Sequence, residues 1–214
     1  MNKLFTSISI TAMMIAAPAF AHHPMGGDIP LTMVQGLLSG IGHPIIGFDH
    51  LAFVLGIGLL AAFQQARLAL PVGFIAGTAL GSLLIVGGVV LPMVELVIGL
   101  SVLMIGVLVM AGRRLGPVAA MMMAAGAGLF HGWAYGEAVI GAEATPIISY
   151  IIAFSATQLA ISLGAMLLAL AFMRKAADGD LAATLQPRLA GAMVAGVGLT
   201  YLVELAEPVL LASL

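Results

Sequence analysis

The chain contains no cysteine, which excludes disulfides, thiolate metal sites and thiol nucleophiles. Charge is almost as scarce. Asp, Glu, Lys and Arg make up 7% of the 214 residues, against 62% hydrophobic residues and a mean hydropathy of +1.20. An ordinary soluble domain carries about 25% charged residues, so this chain has too little polar material to coat a globule. The net charge of -2 comes with no basic patch for nucleic acid. No Walker-type phosphate loop is present, so an ATP-driven pump on this chain alone is not expected, and no organic cofactor is implied. What is present is a succession of apolar runs of roughly 20 residues, each long enough to cross a bilayer as a helix. The expected fold class is all-α: a polytopic membrane protein.

Residues 1–21 read as a cleaved signal peptide, with an uncleaved first helix as the bland alternative. Asn2 and Lys3 open a short polar region, an apolar core follows to about Ile15, and Ala-Phe-Ala closes at Ala21. Residues 22–214 then form one domain with six apolar segments, at about 47–66, 69–90, 92–112, 115–135, 146–173 and 188–211. Pro71, Pro92, Pro117, Pro146 and Pro187 sit at or near segment starts, where a missing N–H costs least. The short apolar piece from Pro30 to Ile41 either extends the first span or forms an interfacial or re-entrant helix, broken at Gly42-His43-Pro44.

Beyond the signal peptide the basic residues are Arg67, Arg113, Arg114, Arg174, Lys175 and Arg188. With six spans they all fall in three loops on one side, which the positive-inside rule makes cytoplasmic. The other side has no Lys or Arg. A cleaved signal peptide independently puts the new N-terminus outside, so both termini are expected to be periplasmic and the protein to lie in a bacterial inner membrane. Glycines at small-residue spacing (Gly73/Gly77/Gly81, Gly87/Gly88 and Gly191/Gly196/Gly198) are expected to let helices approach closely.

That topology puts every histidine and nearly every acid on the outer side. Asp49 and His50 start span 1, with His43 just before it. Glu95 lies one turn into span 3, His131 near the outer end of span 4, and Glu137 and Glu143 in the loop that follows. Glu204 and Glu207 share a face near the end of span 6; His22, His23 and Asp28 are external too. An ionisable group within a span costs about 2.5–3.5 kcal/mol even on lenient insertion scales. Several acids without a neighbouring base repel one another. A bound cation removes that cost by turning carboxylates and neutral imidazoles into ligands, and this donor set suits Ni²⁺, Co²⁺, Zn²⁺ or Cu²⁺ better than Mg²⁺ or Ca²⁺. His43 must return from before the helix to join Asp49 and His50, while His131 and Tyr135, four apart, share a face of span 4.

The bland readings are caps and interfacial anchors for the histidines and an aromatic belt for Trp133 and Tyr135, while Glu95, Glu204 and Glu207 read as lining a pathway or as sitting in the headgroup region. His22 and His23 read as a metal-concentrating N-terminus, since cleavage after Ala21 leaves a free amine beside an imidazole, or as a short polar tail. Ser155, Gln158 and Ser162 on span 5, with Thr78 and Ser82 on span 2, read as an ion relay or as helix–helix glue.

His43-Pro44-x-x-Gly47-x-Asp49-His50 on the first span, with Phe130-His131-Gly132-x-Ala134-x-Gly136 on the fourth, resembles the HupE/UreJ family of nickel/cobalt permeases associated with hydrogenase and urease maturation. The resemblance covers the whole mature chain. It implies secondary uptake of Ni²⁺ or Co²⁺ as transported substrate, with His43, Asp49, His50 and His131 handling the metal. The second motif departs from the family form FHGxAHGxE: this chain reads FHGWAYGEA, with Tyr135 in place of the second histidine and the glutamate one place early, at Glu137. A phenol, with a pKa of about 10, is a poorer ligand than imidazole at neutral pH, and Glu137, followed by Glu143, is expected to serve as the entry ligand instead. The alternatives are an intramembrane metalloenzyme that activates water and a non-transporting metal sensor or assembly factor. No H-E-x-x-H favours the first, and the short cytoplasmic loops offer the second little docking surface. The oligomeric state is left open.

Overall fold

The computed structural model describes residues 28–177 and 181–212, so the expected signal peptide, His22 and His23 lie outside the described residues. All regular structure among the described residues is helical: α1 (Met33–Ile46), α2 (Phe48–Phe63), α3 (Ala69–Val86), α4 (Val94–Met110), α5 (Pro117–Gly136), a 3-10 turn (Glu137–Val139), α6 (Ala144–Ala177) and α7 (Leu181–Ala212).

The segment before the first span is a full helix. Thr32 caps α1 by accepting from Gln35 N, and the Gln35 side chain accepts from Thr32 N in return. The break falls at Gly47 and not at Gly42-His43-Pro44, so His43 sits in the last turn of α1 and does not return from a preceding loop. Pro44 removes only the bond that its missing N–H would give Gly40 O, and packing on α6 holds the turn together. A Cβ on Gly36 would overlap the Pro146 carbonyl, and one on Gly40 would stand 3.0 Å from Phe154 N. Gly47 (φ -74, ψ 107) both ends α1 and starts α2, and the two helices meet at 79°.

The central element is α2, which packs against α3, α4, α6 and α7. Phe53, Val54, Ile57, Leu60 and Ala61 on it are wholly buried. Around it the other helices pair by glycine. α3 and α5 run parallel: Cβ atoms on Gly73, Gly77 and Gly81 would strike the carbonyls of Met121, Ala125 and Leu129 in turn. Gly128, Gly132 and Gly136 meet Phe74, Thr78 and Ser82 from the other side. α4 and α7 run antiparallel, with Gly99 on Leu202, Gly106 on Ala195, Gly198 on Leu103 and Gly191 on Met110. Gly196, by contrast, faces open space, and Gly88 (φ +84) ends α3 in a conformation that favours glycine.

Among the described residues three helices are long and apolar enough to cross a membrane (Ala69–Val86, Ala144–Lys175 and Leu185–Pro208), or four if the bent α1–α2 pair counts as one span. α4 is apolar but has 17 residues. α5 has 20 residues and ends in polar and small ones, His131, Trp133, Tyr135 and Gly136. α7 starts at Leu181, so Pro187 lies inside the helix and not at its start. Arg67, Arg114 and Arg174 line one cavity, and Arg188 Nη2 lies 3.1 Å from where a Cβ of Gly112 would stand. These basic residues therefore gather at the end of the bundle where α2 finishes, opposite the histidines where it begins.

Candidate metal-handling site

Helix ends from separate parts of the sequence converge at the start of α2. The first turn of α2 supplies Asp49 and His50, the last turn of α1 His43, and the last two turns of α5 His131 and Tyr135. All five are buried, His131 and Tyr135 completely. The site is thus an enclosed centre.

Two short hydrogen-bond chains orient the imidazoles. His50 Nδ1 and His131 Nδ1 are 2.9 Å apart, and His131 Nε2 is 2.8 Å from Ser101 Oγ on α4. Ser101 has one hydroxyl hydrogen, which it donates to Ile98 O at 2.7 Å. The hydroxyl oxygen therefore accepts from His131 Nε2–H, His131 Nδ1 carries the lone pair, and His50 donates its Nδ1–H to it. The second chain has the same logic. Tyr150 on α6 donates to Tyr135 O at 2.7 Å and stands 2.7 Å from His43 Nδ1, so it accepts from His43 Nδ1–H. Both His43 and His50 then carry the lone pair on Nε2.

The Tyr135 ring lies between the two motifs, with its centroid 4.3 Å from that of His50 and 4.8 Å from that of His43. Asp49 Oδ2 is 3.9 Å from His50 Nδ1, a charge contact too long for a hydrogen bond. Towards the other end of the bundle, Phe53 stacks on His131 at 4.4 Å and Phe74 packs on Phe53 at 5.1 Å. Beyond them the core is apolar: Ile57, Leu60, Ile105 and Val109. Beside the histidines, Thr78 Oγ1 donates to Gln158 Oε1 at 3.0 Å. Tyr135 O–H and Gln158 Nε2 are buried without a hydrogen-bond partner of good geometry. Ser82 donates to Gly132 O at 2.7 Å and fastens α3 to α5 beside His131. Ser162 bonds within its own helix, to Leu159 O.

The five glutamates stay outside this centre. Glu95, Glu143, Glu204 and Glu207 are exposed on the same end of the bundle, as is Glu137 in the 3-10 turn that follows α5. Partial burial, and then the negative charge of Glu95, raise the Glu137 pKa above the ordinary glutamate value. Among the described residues no three His, Asp or Glu side chains are arranged as a ready-made metal cage. His50 and His131 point their Nδ1 atoms at each other.

Sequence reasoning did not find Ser101 and Tyr150, the two hydroxyls that set the imidazole tautomers. Neither belongs to a motif. The only available signal was a polar atom inside an apolar run, which Ser155 and Thr157 share.

A helical bundle with apolar helices of membrane-crossing length, burying three imidazoles and a carboxylate at one end, defines a membrane-associated protein with an internal histidine–carboxylate centre. The model of the HupE / UreJ protein family matches residues 10–201. Protein HupE of Rhizobium leguminosarum bv. viciae is 32% identical over 203 residues, which cover 93% of this chain and 98% of that protein. The chain belongs to the HupE/UreJ family. No solved structure matches it. The family is associated with nickel and cobalt uptake or accessory function, and it is a transporter and accessory family and not an enzyme family.

Proposed function

We propose that the chain is an inner-membrane permease that takes up a divalent transition metal, Ni²⁺ or Co²⁺, through the centre at the α1–α2 break. The observation that carries this reading is the joint burial of His43, Asp49, His50 and His131 at the end of the bundle remote from the arginines. A cluster of that composition has a reason to be buried if a cation passes through it. The proposed topology has six spans after a cleaved signal peptide, with α1 and α2 as one broken span and both termini periplasmic. Two structural features support it. The parallel pairing of α3 with α5 and the antiparallel pairing of α4 with α7 are those that six alternating spans require, and the arginines gather at the end that the positive-inside rule assigns to the cytoplasm.

In this reading Glu95 and Glu137 collect the ion outside. His43 and His50 then bind it through Nε2 beside Asp49, their Nδ1–H groups held by Tyr150 and by His131. Such outer partners fix ring orientation and raise ligand basicity. The ring centroids of His43 and His50 are 5.9 Å apart, a distance two imidazoles on one ion can bridge, since each ring centre stands roughly 3.2 Å from a bound metal at an N–metal distance of about 2.0–2.1 Å. His131 joins as a ligand once its bond to His50 is broken. With α1 above and the Phe53–Phe74 pair below, the described conformation is closed on both sides. Thr78 and Gln158 offer oxygens beside the histidines, on the outer side of that pair, and release inward requires the two rings to part.

The test is accumulation of radioactive nickel or cobalt by cells expressing the chain. Asp49→Ala and His50→Ala are expected to lower it roughly tenfold or more at unchanged protein level. Uptake equal to that of the unsubstituted chain in both variants overturns the proposal.

A further inference from the structure

The opposite end of the bundle holds a cavity of about 450 Å³ that the metal path does not use. Three segments build it: the end of α2 with the loop after it (Phe63, Arg67), the α4–α5 loop (Arg114), and the last turns of α6 (Leu170, Met173, Arg174). Seven basic residues serve the whole chain, yet three of them face this one space, and among the described residues no carboxylate lines it.

The position of Arg114 is fixed. Gln64, itself 4% exposed, donates through Nε2 to Arg113 O at 2.9 Å and to Leu60 O at 3.1 Å, while its Oε1 accepts from Leu115 N at 2.7 Å. The residues on both sides of Arg114 are thereby tied to the end of α2. On α6, Leu170, Met173 and Arg174 are spaced i, i+3, i+4, so apolar and charged groups face the cavity together.

Three exposed arginines lining one space make it attractive to an anion, and the planar donor fork of arginine suits the oxygens of a phosphate. Phe63, Leu170 and Met173 give the same cavity an apolar side, which an inorganic ion does not need and an amphiphile does. The volume is that of a small-molecule site, enough for a headgroup and glycerol. Basic pockets between helices at a membrane surface are where anionic lipid headgroups bind. We propose that this cavity holds the phosphate of an anionic phospholipid between Arg67, Arg114 and Arg174, with the root of its acyl chains against Phe63, Leu170 and Met173. The site is independent of the metal reading.

The experiment uses the full chain in detergent, titrated with dioleoylphosphatidylglycerol and followed by thermal unfolding and by native mass spectrometry. The expected result is a saturable rise in Tm with one retained lipid. Half-saturation moves at least fivefold higher in Arg114→Gln/Arg174→Gln and stays unchanged in Arg113→Gln, which does not line the cavity. Arg174→Gln alone, in an exposed last turn, carries the same reading if the double variant is unstable. Equal stabilisation by dioleoylphosphatidylcholine, or an unchanged titration in the arginine variants, overturns the proposal. An equal rise with inorganic phosphate alone also overturns it, by showing a site for a soluble anion.

Discussion

Gly132→Ala is expected to damage both the fold and the centre, and the size of the effect follows from the α3–α5 contact. A Cβ on Gly132 would overlap the Thr78 carbonyl oxygen and stand 2.5 Å from the Thr78 carbonyl carbon. Carbon atoms in ordinary contact are about 3.5–4.0 Å apart, so the helices must separate by roughly 1 Å or more. No flexible side chain can yield, because the atoms met are backbone. Overpacking of this kind costs about 1–3 kcal/mol, against a gain of about 0.5–1 kcal/mol from replacing glycine within a helix. His131 is the next residue, with bonds of 2.9 Å to His50 and 2.8 Å to Ser101. A shift of about 1 Å takes both beyond hydrogen-bond range, adding about 1 kcal/mol for each lost bond. The net expectation is a loss of about 2–4 kcal/mol, with metal uptake falling further than protein level. Gly126→Ala on the same helix is the control: nothing lies within 4 Å of its Cβ, so its Tm should equal or slightly exceed that of the unsubstituted chain. Thermal unfolding of the two purified variants, alongside radioactive nickel uptake, checks the pair. A Gly132→Ala protein as stable and active as Gly126→Ala refutes the close parallel packing of α3 on α5.

The hydrogen-bond chains and the outer acids give further expectations. Ser101→Ala leaves His131 Nε2–H buried without an acceptor, which costs about 1–3 kcal/mol and is measurable as a lower Tm; Ser101→Thr should restore most of it. Tyr150→Phe removes the acceptor for His43 Nδ1–H and should weaken metal binding roughly 10- to 100-fold, read by calorimetric titration. Tyr135→His puts an imidazole between His43 and His50, where the phenol ring now lies 4.3 Å from the latter, and should tighten nickel retention in the same assay. For Glu137 the raised pKa means that the folded chain holds more protons than the unfolded one between the ordinary glutamate pKa and the raised value. Stability should therefore decline as pH rises through that window. Glu137→Gln should flatten the decline in a Tm-against-pH series.

The residues of the centre were legible because each is costly where it stands. Asp49 and His50 at the head of an apolar run, and His131 with Tyr135 one helical turn apart, announced a shared destination before any helix was placed. What joins them was not legible. Tyr150 lies 107 positions from His43, and no local pattern marks it as a partner. The break between α1 and α2 was misplaced for a related reason. Gly42-His43-Pro44 has the chemistry of a turn, but the packing of Gly36 and Gly40 against α6 outweighs that local preference, and Gly47 bends instead. The glycine stripe of α3 was visible alone, whereas its counterpart on α5 (Gly128, Gly132 and Gly136) acquires meaning only from the parallel register. Pro187 misled in the same way, because a helix start was read from a residue that α7 tolerates in its interior.

The central claim is that a transition metal crosses the membrane through the His43–Asp49–His50–His131 centre. Its most direct test is radioactive nickel or cobalt entry into proteoliposomes that contain only the purified chain, compared with Asp49→Ala and His50→Ala reconstituted at equal density. Time-dependent entry is expected with the unsubstituted chain and near-background entry with either variant. Equal entry in all three, or none with the unsubstituted chain, contradicts it.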